Sequence, residues 1–417
     1  MTKDSLTRRI LEAATGGPVA EGAIVSVPVD RIMAHDGSTP VVAATLERYG
    51  ITELRGAERM VVVFDHFFPA TTEQEANLHT KSRQFAAKYG IPVFSGEGIC
   101  HHVLANRGLV MPGGVLVGGD SHTCINGAFG CLAIGLGATD VAGCLASGHL
   151  WLQMPDVVAV RLSGCLPAGV MAQDIALAVM ERLTVRGALG QVIEFHGPGV
   201  AGLSMAQRMT ISGFAVEAGA LSGLFACDDT CRIWLAERGA DLDRAAVVSP
   251  LPGDVSADVE IDLSRLVPVV AISPSPDKVV SLANATPEPV HQAFIGSCVG
   301  GHFADLQAAA AVLHGGRIAP GIRLFVAPSS DAALKAALSA GVVATLVEAG
   351  AVILPPGCGA CLGRYGTLGE AETCLSTQNR NFIGRAGAKT ARLHLASPVT
   401  VARAALTGTI PSVRGAS

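Results

Sequence analysis

The 417-residue sequence is poor in charged and aromatic residues, which make up only 16% and 4% of it. Lysine and arginine number 30 against 35 aspartates and glutamates, so the net charge is −5 and there is no basic excess. Nucleic-acid binders usually carry a clustered basic face, and disordered chains contain few apolar residues. Since 49% of the residues are apolar, the composition argues against both classes and predicts two or three globular domains.

Long uninterrupted hydrophobic runs are also missing. A membrane-spanning helix needs about 20 consecutive apolar residues, and the best candidate, Ala128 to Leu150, is broken by glycines, Asp140 and His149. We predict that this stretch forms a buried, glycine-rich helix. The first residues have charges on both sides of any apolar stretch, so we expect no signal peptide.

Cysteine is too sparse for a disulfide framework. The eleven cysteines are an odd number scattered over a long chain, unlike the dense, even sets of small secreted domains. We therefore expect a reducing, cytoplasmic location in which thiols are available to bind a metal.

What the sequence does contain is an alternation of short β-branched segments with longer segments rich in alanine and leucine. This pattern predicts α/β layers with largely parallel sheets. Glycines cluster after the predicted strands, where ligands bind in such sheets. The predicted strands are Met60–Phe64, Val115–Val117, Val157–Leu162, Val267–Ile272, Arg323–Val326 and Ala351–Leu354, and the predicted helices are Thr72–Tyr89, Met171–Arg182, Ser204–Ala218, Phe303–Leu313 and Asp331–Ala340.

Three cysteines follow predicted strands, Cys298 after one and the pair Cys358 and Cys361 after another. A Cys-x-x-Cys pair alone is a weak signal, because zinc sites, redox pairs and buried inert thiols all contain it. A structural zinc would take His302 as its fourth ligand, whereas a redox pair fits poorly with the Pro-Gly turn before Cys358. Three thiolates on a four-iron cluster would leave one iron open as a Lewis acid.

Seven motifs, in order along almost the whole chain, resemble the aconitase superfamily and within it the large subunits of 3-isopropylmalate dehydratase and homoaconitase. They are Val63–His66, Gly98–His101, Gly119–Thr123, Glu194–Gly199, Gly296–Cys298, Gly357–Cys361 and Asn379–Arg385. The resemblance implies three α/β domains around a [4Fe–4S] cluster held by Cys298, Cys358 and Cys361. We expect these domains at residues 1–155, 156–265 and 266–417. The implied reaction removes and returns water on a hydroxy di- or tricarboxylate.

The resemblance also implies roles for side chains outside the cysteine motifs. Asp120 with His122 and Asp65 with His66 match acid–base pairs, in which a carboxylate fixes the ring tautomer and raises its basicity. His101 and Glu217 match further catalytic positions, and Asn379 matches a residue that donates a hydrogen bond toward the cluster. The matching substrate-binding positions are His35, Asp36, Ser121, Arg380 and Arg385. Without the resemblance, Asp120 could equally cap a helix and Glu217 could be a partnered buried carboxylate.

The chain departs from its relatives at several positions. Val299, Gly300 and His302 replace residues that are usually Thr, Asn and Arg, and Gly213 replaces an Asn. We expect these changes to alter the surroundings of the cluster without abolishing its ligation, because supporting hydrogen bonds tune a metal site more than they build it. They leave the identity of the substrate open.

Single-chain aconitases also carry a fourth, swivelling domain, for which we expect no room in this chain. We therefore predict a separate small subunit that completes the site and helps to select the substrate. The leading hypothesis is 3-isopropylmalate dehydratase in leucine synthesis, with homoaconitase, dimethylmalate dehydratase or a hydratase of another citrate or malate analogue as alternatives. Two other classes stay open: a regulatory or RNA-binding iron–sulfur protein, and a non-catalytic zinc-binding subunit.

Overall fold

The computed structural model describes residues 4–251 and 256–411. They form two compact units: the first contains the described residues of 1–96, 100–163 and 188–261, and the second those of 97–99, 164–187 and 262–417. The division into three domains at residues 155 and 265 stays a prediction.

The first unit is built on a five-stranded, all-parallel sheet with the strand order β4-β3-β2-β5-β6. A second sheet has the order β10-β9-β8-β11, and β1 pairs with β7 as an antiparallel ribbon. The strands are β1 Ile24–Pro28, β2 Arg31–His35, β3 Met60–Phe64, β4 Val93–Ser95, β5 Val115–Gly118, β6 Leu132–Gly135, β7 His149–Gln153, β8 Val157–Ser163, β9 Val192–His196, β10 Ser222–Phe225 and β11 Val259–Asp262.

Helices flank these sheets, and the central strands are buried on both faces, as expected for parallel sheets. The helices of the first unit are α1 Leu6–Thr15, α2 Thr39–Arg48, α3 Glu73–Tyr89, α4 Cys100–Asn106, α5 Ala138–Ser147, α7 Met205–Gly213 and α8 Asp229–Ala236, and α6 Ala172–Leu183 belongs to the second unit. Short 3-10 helices occupy Ala57–Arg59, Ser121–Phe129, Pro198–Gly202, Ala215–Ala218 and Ala245–Val248.

The second unit has a seven-stranded mixed sheet with the order β13-β12-β18-β17-β14-β15-β16. The five strands from β18 to β16 run parallel, whereas β12 and β13 are antiparallel to their neighbours. Its strands are β12 Val269–Ala271, β13 Val279–Ser281, β14 Gln292–Ile295, β15 Arg323–Val326, β16 Val352–Ile353, β17 Thr373–Ser376 and β18 Arg392–Ala396. Its remaining helices are α9 Phe303–Leu313, α10 Asp331–Ser339, α11 Val342–Ala349 and α12 Pro398–Thr407, with 3-10 helices at Leu263–Arg265 and Gly359–Leu362.

The predicted α/β class with largely parallel sheets is confirmed, and every predicted strand overlaps an observed one, with differences of a few residues at the ends. Two predictions need correction. The stretch from Ala128 to Leu150 is not one helix, because Gly130 and Gly148 both adopt positive φ and end their helices, so the stretch contains β6, α5 and the start of β7. The predicted helix Ser204–Ala218 ends at Gly213, and a separate 3-10 turn that carries Glu217 follows.

The described residues contain no single helix that is long and apolar enough to cross a membrane. Only α10 and α11 together reach the required length and composition, and they are bent by 85° relative to each other.

Candidate active site and thiol site

Three carboxylates lie at the carboxyl ends of three adjacent strands of the first unit. Asp36 directly follows β2, Asp65 directly follows β3, and Asp120 lies two residues beyond β5. Because β3, β2 and β5 are neighbouring parallel strands, their carboxyl ends meet at one edge of the sheet. The side chains of Asp36 and Asp65 are fully buried, and that of Asp120 is only 12% exposed.

His66 lies between two of these carboxylates. Its Nδ1 is 2.7 Å from Oδ1 of Asp65, and its Nε2 is 3.2 Å from Oδ2 of Asp120. The second oxygen of Asp65 accepts the backbone N–H of Cys100, the first residue of α4, at 2.7 Å. The predicted Asp65–His66 pair is therefore present in the structure, and it extends to a second carboxylate.

Asp120 accepts hydrogen bonds from three groups. Besides His66, these are Nε2 of His101 at 2.8 Å and the backbone N–H of His122 at 2.7 Å. Burial alone would raise the pKa of Asp120, but the hydrogen bonds and charges of His101 and His66 outweigh burial and hold this pKa well below its usual value. Asp120 is thus an ionised carboxylate surrounded by donors.

The pairing of His122 differs from the expected one. Its ring Nδ1 is 3.8 Å from Asp120, too far for a hydrogen bond, whereas its Nε2 lies 2.8 Å from Oε1 of Glu217. Asp120 instead caps the 3-10 helix that carries His122, which is the alternative role that the sequence left open for it. His122 and Glu217 are both buried and form a second carboxylate–imidazole pair. Ser121, beside them, places its Oγ 3.4 Å from Nδ1 of His122.

Asp36 organises the region behind His66. It accepts the backbone N–H groups of His66 and Phe67 at 3.1 and 2.8 Å, and Nε2 of His79 lies 3.2 Å from its Oδ2. Burial alone would raise the pKa of Asp36, but polar groups that face this carboxylate, among them the His66 imidazole and the Phe67 amide, outweigh burial and lower it to about 2. His79 was not among the predicted site residues; its one sequence signal is that it shares a helix face with Ser82 and Ala86, the other buried residues of α3.

Among the described residues, one group of ligand-type atoms is compact enough for a metal ion: atoms of His35, Asp36, Asp65 and His66 lie within 4.8 Å of one another. Both ring nitrogens of each histidine, however, already face a hydrogen-bond partner within the unit. We therefore interpret this group as a proton-handling network rather than as a metal site.

The three cysteines of the motifs lie in the second unit at the carboxyl edge of its parallel strands. Cys298 follows β14, and Cys358 and Cys361 follow β16, which is two strands away in the sheet. Cys361 donates its backbone N–H to the Cys358 carbonyl at 3.0 Å in a 3-10 turn. Residues three apart in such a turn eclipse each other, so both thiols lie on the same side of it. Cys298 and Cys361 are buried and Cys358 is half-buried.

The surroundings of Cys298 fit a soft, thiolate-bound group. Nδ2 of Asn379, on the loop after β17, donates to Sγ of Cys298 at 3.6 Å, as the resemblance implied for this residue. Ser297 has a φ of 79°, a left-handed conformation that is strained for a residue with a side chain and is often found at functional sites. Cysteine thiolates are the ligands that hold iron–sulfur clusters in proteins.

The presence of Gly300 where relatives usually carry Asn has a physical reason. A Cβ at this position would lie 2.5 Å from Cβ of Thr377, so the backbone of this chain leaves no room for the usual Asn. Thr377 also holds the turn through its hydroxyl, which accepts from the N–H of Gly296 and donates to the Gly296 carbonyl, both at 2.8 Å.

Arg380 and Arg385 lie on the loop between β17 and β18, which also carries Asn379. Nε of Arg385 is buried and has no hydrogen-bond partner among the described residues. A guanidinium with an unused N–H donor is suited to bind a carboxylate through two parallel hydrogen bonds.

Comparison with known proteins agrees with the sequence motifs. Residues 8–408 match the family described as "Aconitase family (aconitate hydratase)". The "Homoaconitase large subunit" of Thermus thermophilus is 41% identical over 411 residues, which are 97% of this chain and 96% of that relative. The "3-isopropylmalate dehydratase large subunit 1" of Methanopyrus kandleri is 39% identical over 413 residues, which are 98% of this chain and 99% of that relative.

Among solved structures, the holo-form of aconitase X from Thermococcus kodakaraensis aligns with a TM-score of 0.49 and 10% identity, covering 98% of this chain and 94% of that one. The family match over most of the chain and the full-length relatives confirm the predicted resemblance: this chain belongs to the aconitase family.

Proposed function

We propose that the chain is the large subunit of an aconitase-type hydro-lyase that isomerises 3-isopropylmalate by removing water and returning it to the neighbouring carbon. The observation that carries this proposal is the network in which His66 lies between Asp65 and Asp120 while His122 bonds Glu217. Dehydration of a hydroxy acid needs one group that protonates the departing hydroxyl and another that takes a proton from carbon. Buried carboxylate–imidazole pairs can supply both.

We assign an iron–sulfur cluster to the thiols of Cys298, Cys358 and Cys361, and we propose the [4Fe–4S] type. With three protein ligands, such a cluster would offer an open iron as a Lewis acid toward the hydroxyl and carboxylate of the substrate. Asn379 would tune it through its hydrogen bond to Cys298.

The proton chemistry is assigned to this chain's own side chains. A carboxylate can only accept hydrogen bonds, so His66, with one carboxylate at each nitrogen, holds a proton on both Nδ1 and Nε2. We therefore assign His66 as the group that donates a proton. Asp120 keeps its negative charge at neutral pH because of its low pKa, and it orients both His66 and His101. His122, held by Glu217, is assigned to the second proton-transfer step.

Arg380 and Arg385 are assigned to the carboxylates of the substrate, with Ser121 as an additional hydrogen-bonding group. Asp36, which accepts two backbone N–H groups and has a pKa of about 2, is assigned to holding the turn that presents His66. The unpartnered Nε of Arg385 supports the assignment of that residue to an anion.

We further propose that the enzyme needs a separate small subunit carrying the swivelling domain. The support comes from the relatives, which are named large subunits and align with this chain over 96% or more of their own length. A cytoplasmic location stays a prediction.

The test uses the purified chain with its cluster reconstituted without oxygen, mixed with the small subunits of an isopropylmalate dehydratase and of a homoaconitase. We expect turnover of isopropylmalate with the first partner and none by the chain alone. Turnover of homoaconitate alone would identify the chain as a homoaconitase large subunit. This is the principal alternative, because a homoaconitase large subunit is about as similar to this chain as the dehydratase subunits are. Iron binding without any turnover would favour a regulatory role.

A further inference from the structure

His35, the last residue of β2, lies flat against His66. The centroids of the two rings are 3.7 Å apart and their planes are inclined by only 16°. The His35 side chain is 12% exposed and that of His66 is 9% exposed. A half-buried and a buried histidine in a face-to-face stack need an explanation, because two charged rings would repel each other at this distance.

The hydrogen bonds of His35 fix its protonation state. Its Nε2 is 2.9 Å from the carbonyl oxygen of Gly119, which can only accept, so Nε2 carries a proton. The backbone N–H of Gly37, which can only donate, points at Nδ1 from 3.1 Å, so Nδ1 carries none. His35 is therefore a neutral ring in one tautomer, and both nitrogens are engaged with the backbone.

The position of His35 is also fixed by packing. A Cβ at Gly37 would lie 3.0 Å from Cε1 of His35 and 2.9 Å from Cε2 of Phe67. Cε1 lies between the two ring nitrogens, so Gly37 closes off this edge of the ring, while one face of the ring is turned to His66.

We propose that His35 is a positioning residue: its neutral ring is the platform that holds the doubly protonated ring of His66 between Asp65 and Asp120. A cation over an aromatic face is stabilised by the electron-rich ring. The stack also prevents His66 from rotating away from its two carboxylates. This role rests on the proposed function, in which His66 supplies the proton, and it replaces the substrate contact expected for His35, since no ring nitrogen is left for a substrate.

The other groups that face His66 act through its edge or its backbone. Asp65 and Asp120 bind the two ring nitrogens, and Asp36 accepts the His66 N–H. His101 and the N–H of His122 act on Asp120. All of them are kept in the variants described next, so those variants separate the effect of the ring face from that of the surrounding charges.

The test compares His35→Phe with His35→Gln in the intact chain without cluster or substrate. Phe keeps a flat ring over His66 but loses both hydrogen bonds, whereas Gln can bond Gly119 and Gly37 but has no ring. Side-chain ¹⁵N NMR, assigned by substitution, reports the protons on each histidine as the pH is raised. In the unmodified chain, we expect His35 to be neutral with its proton on Nε2 and His66 to be doubly protonated at pH 7.

The Gln variant should lower the pH at which His66 loses its proton by about one unit, the size expected for a lost cation–aromatic contact. The Phe variant should shift it by less than about 0.3 unit. His394 of the second unit, whose Nδ1 accepts the Ser273 N–H, is the internal control and should not change.

An equal shift in both variants, a larger shift in Phe than in Gln, or a singly protonated His66 in the unmodified chain would overturn the proposal. Because the measurement uses neither substrate nor cluster, it can succeed even if the hydro-lyase assignment fails. It can also fail while that assignment stands.

Discussion

The two units hold their reactive groups in different ways. In the first unit, carboxylates and imidazoles hold one another: Asp65, His66, Asp120 and His101 form a continuous chain of hydrogen bonds of 3.2 Å or less. In the second unit, the backbone holds the thiols through the strained turn at Ser297, the close packing at Gly300 and a 3-10 turn.

This difference has a chemical cause. Proton transfer needs donors and acceptors already aligned with one another, so the partners belong to the protein. Thiolates that bind a metal centre repel one another until the metal arrives, so backbone geometry must position them. The predictions below test this contrast, beginning with the largest expected effect.

Loss of a thiol should abolish iron binding in the second unit. We expect Cys361→Ser to lose most of the iron that the unmodified chain retains after reconstitution, measured by metal analysis and visible absorbance. Cys374→Ser is the matched control: Cys374 is buried on β17 in the same unit, and burial raises the pKa of its thiol to about 12, so it stays neutral. If both variants lose iron equally, the effect is one of folding and the assignment of Cys361 as a ligand fails.

In the first unit, Asp120→Asn should reduce turnover while leaving iron content unchanged. An amide offers only one acceptor oxygen where Asp120 now serves three donors, so His66 and His101 lose their alignment. We expect kcat to fall by about 10²- to 10⁴-fold. Asp140→Asn, on the exposed side of α5, controls for the loss of one negative charge. Turnover close to that of the unmodified enzyme would show that Asp120 is only a helix cap.

Two buried aspartates should change stability with pH in opposite directions. Asp36 has a pKa of about 2, below the unfolded value of about 3.9, so its contribution is present above pH 4 and is lost as the pH falls toward 2. Burial raises the pKa of Asp174 to about 6, although the backbone N–H groups of Met171 and Val269 oppose this rise. Its contribution is therefore complete below pH 4 and is lost as the pH rises through 6. Each effect is about 2–3 kcal/mol.

Urea unfolding of Asp36→Asn and Asp174→Asn between pH 2 and pH 7 measures both effects. Relative to the unmodified chain, the first variant should flatten the pH dependence only in the acid range, and the second only between pH 4 and pH 6. Identical pH profiles for the two variants would mean that the neighbouring imidazoles do not distinguish the two sites.

The smallest effect concerns two residues with positive φ. Ala371, with a φ of 58°, is exposed and has no side-chain hydrogen bond to lose, so Ala371→Gly should stabilise the chain by about 0.5–1 kcal/mol. Ser297, with a φ of 79°, accepts the Val299 N–H and donates to the Thr377 carbonyl, both at 3.2 Å. Ser297→Gly should therefore gain little or nothing. Thermal unfolding of both variants checks the comparison, and an equal gain would show that the Ser297 hydroxyl does not hold the turn.

Local structure was largely predictable from the sequence. Runs such as Met60–Phe64 and Arg323–Val326 coincide with β3 and β15, because short β-branched stretches bounded by polar turns favour buried strands. Ser204–Ala218 was harder, since its apolar pattern continues past the residue at which α7 ends, and only Gly213 hints at the break.

The detailed partners in the site were not predictable in the same way. Asp65 meets the Cys100 N–H across 35 positions, and Asp36 meets His79 across 43. Such contacts depend on the order of strands in the sheet, which hydrophobic periodicity does not encode. The motifs could therefore indicate which residues matter, but not that His122 would bond Glu217, nor that His35 would stack on His66.

The most direct test of the account is the iron and acid-labile sulfide content of the purified chain after reconstitution without oxygen, together with its visible spectrum. We expect about four irons and four sulfides per chain, as a [4Fe–4S] cluster requires, and a broad brown absorbance. A colourless chain that binds zinc, or one that binds no metal, would contradict the assignment of Cys298, Cys358 and Cys361 and with it the proposed hydro-lyase function.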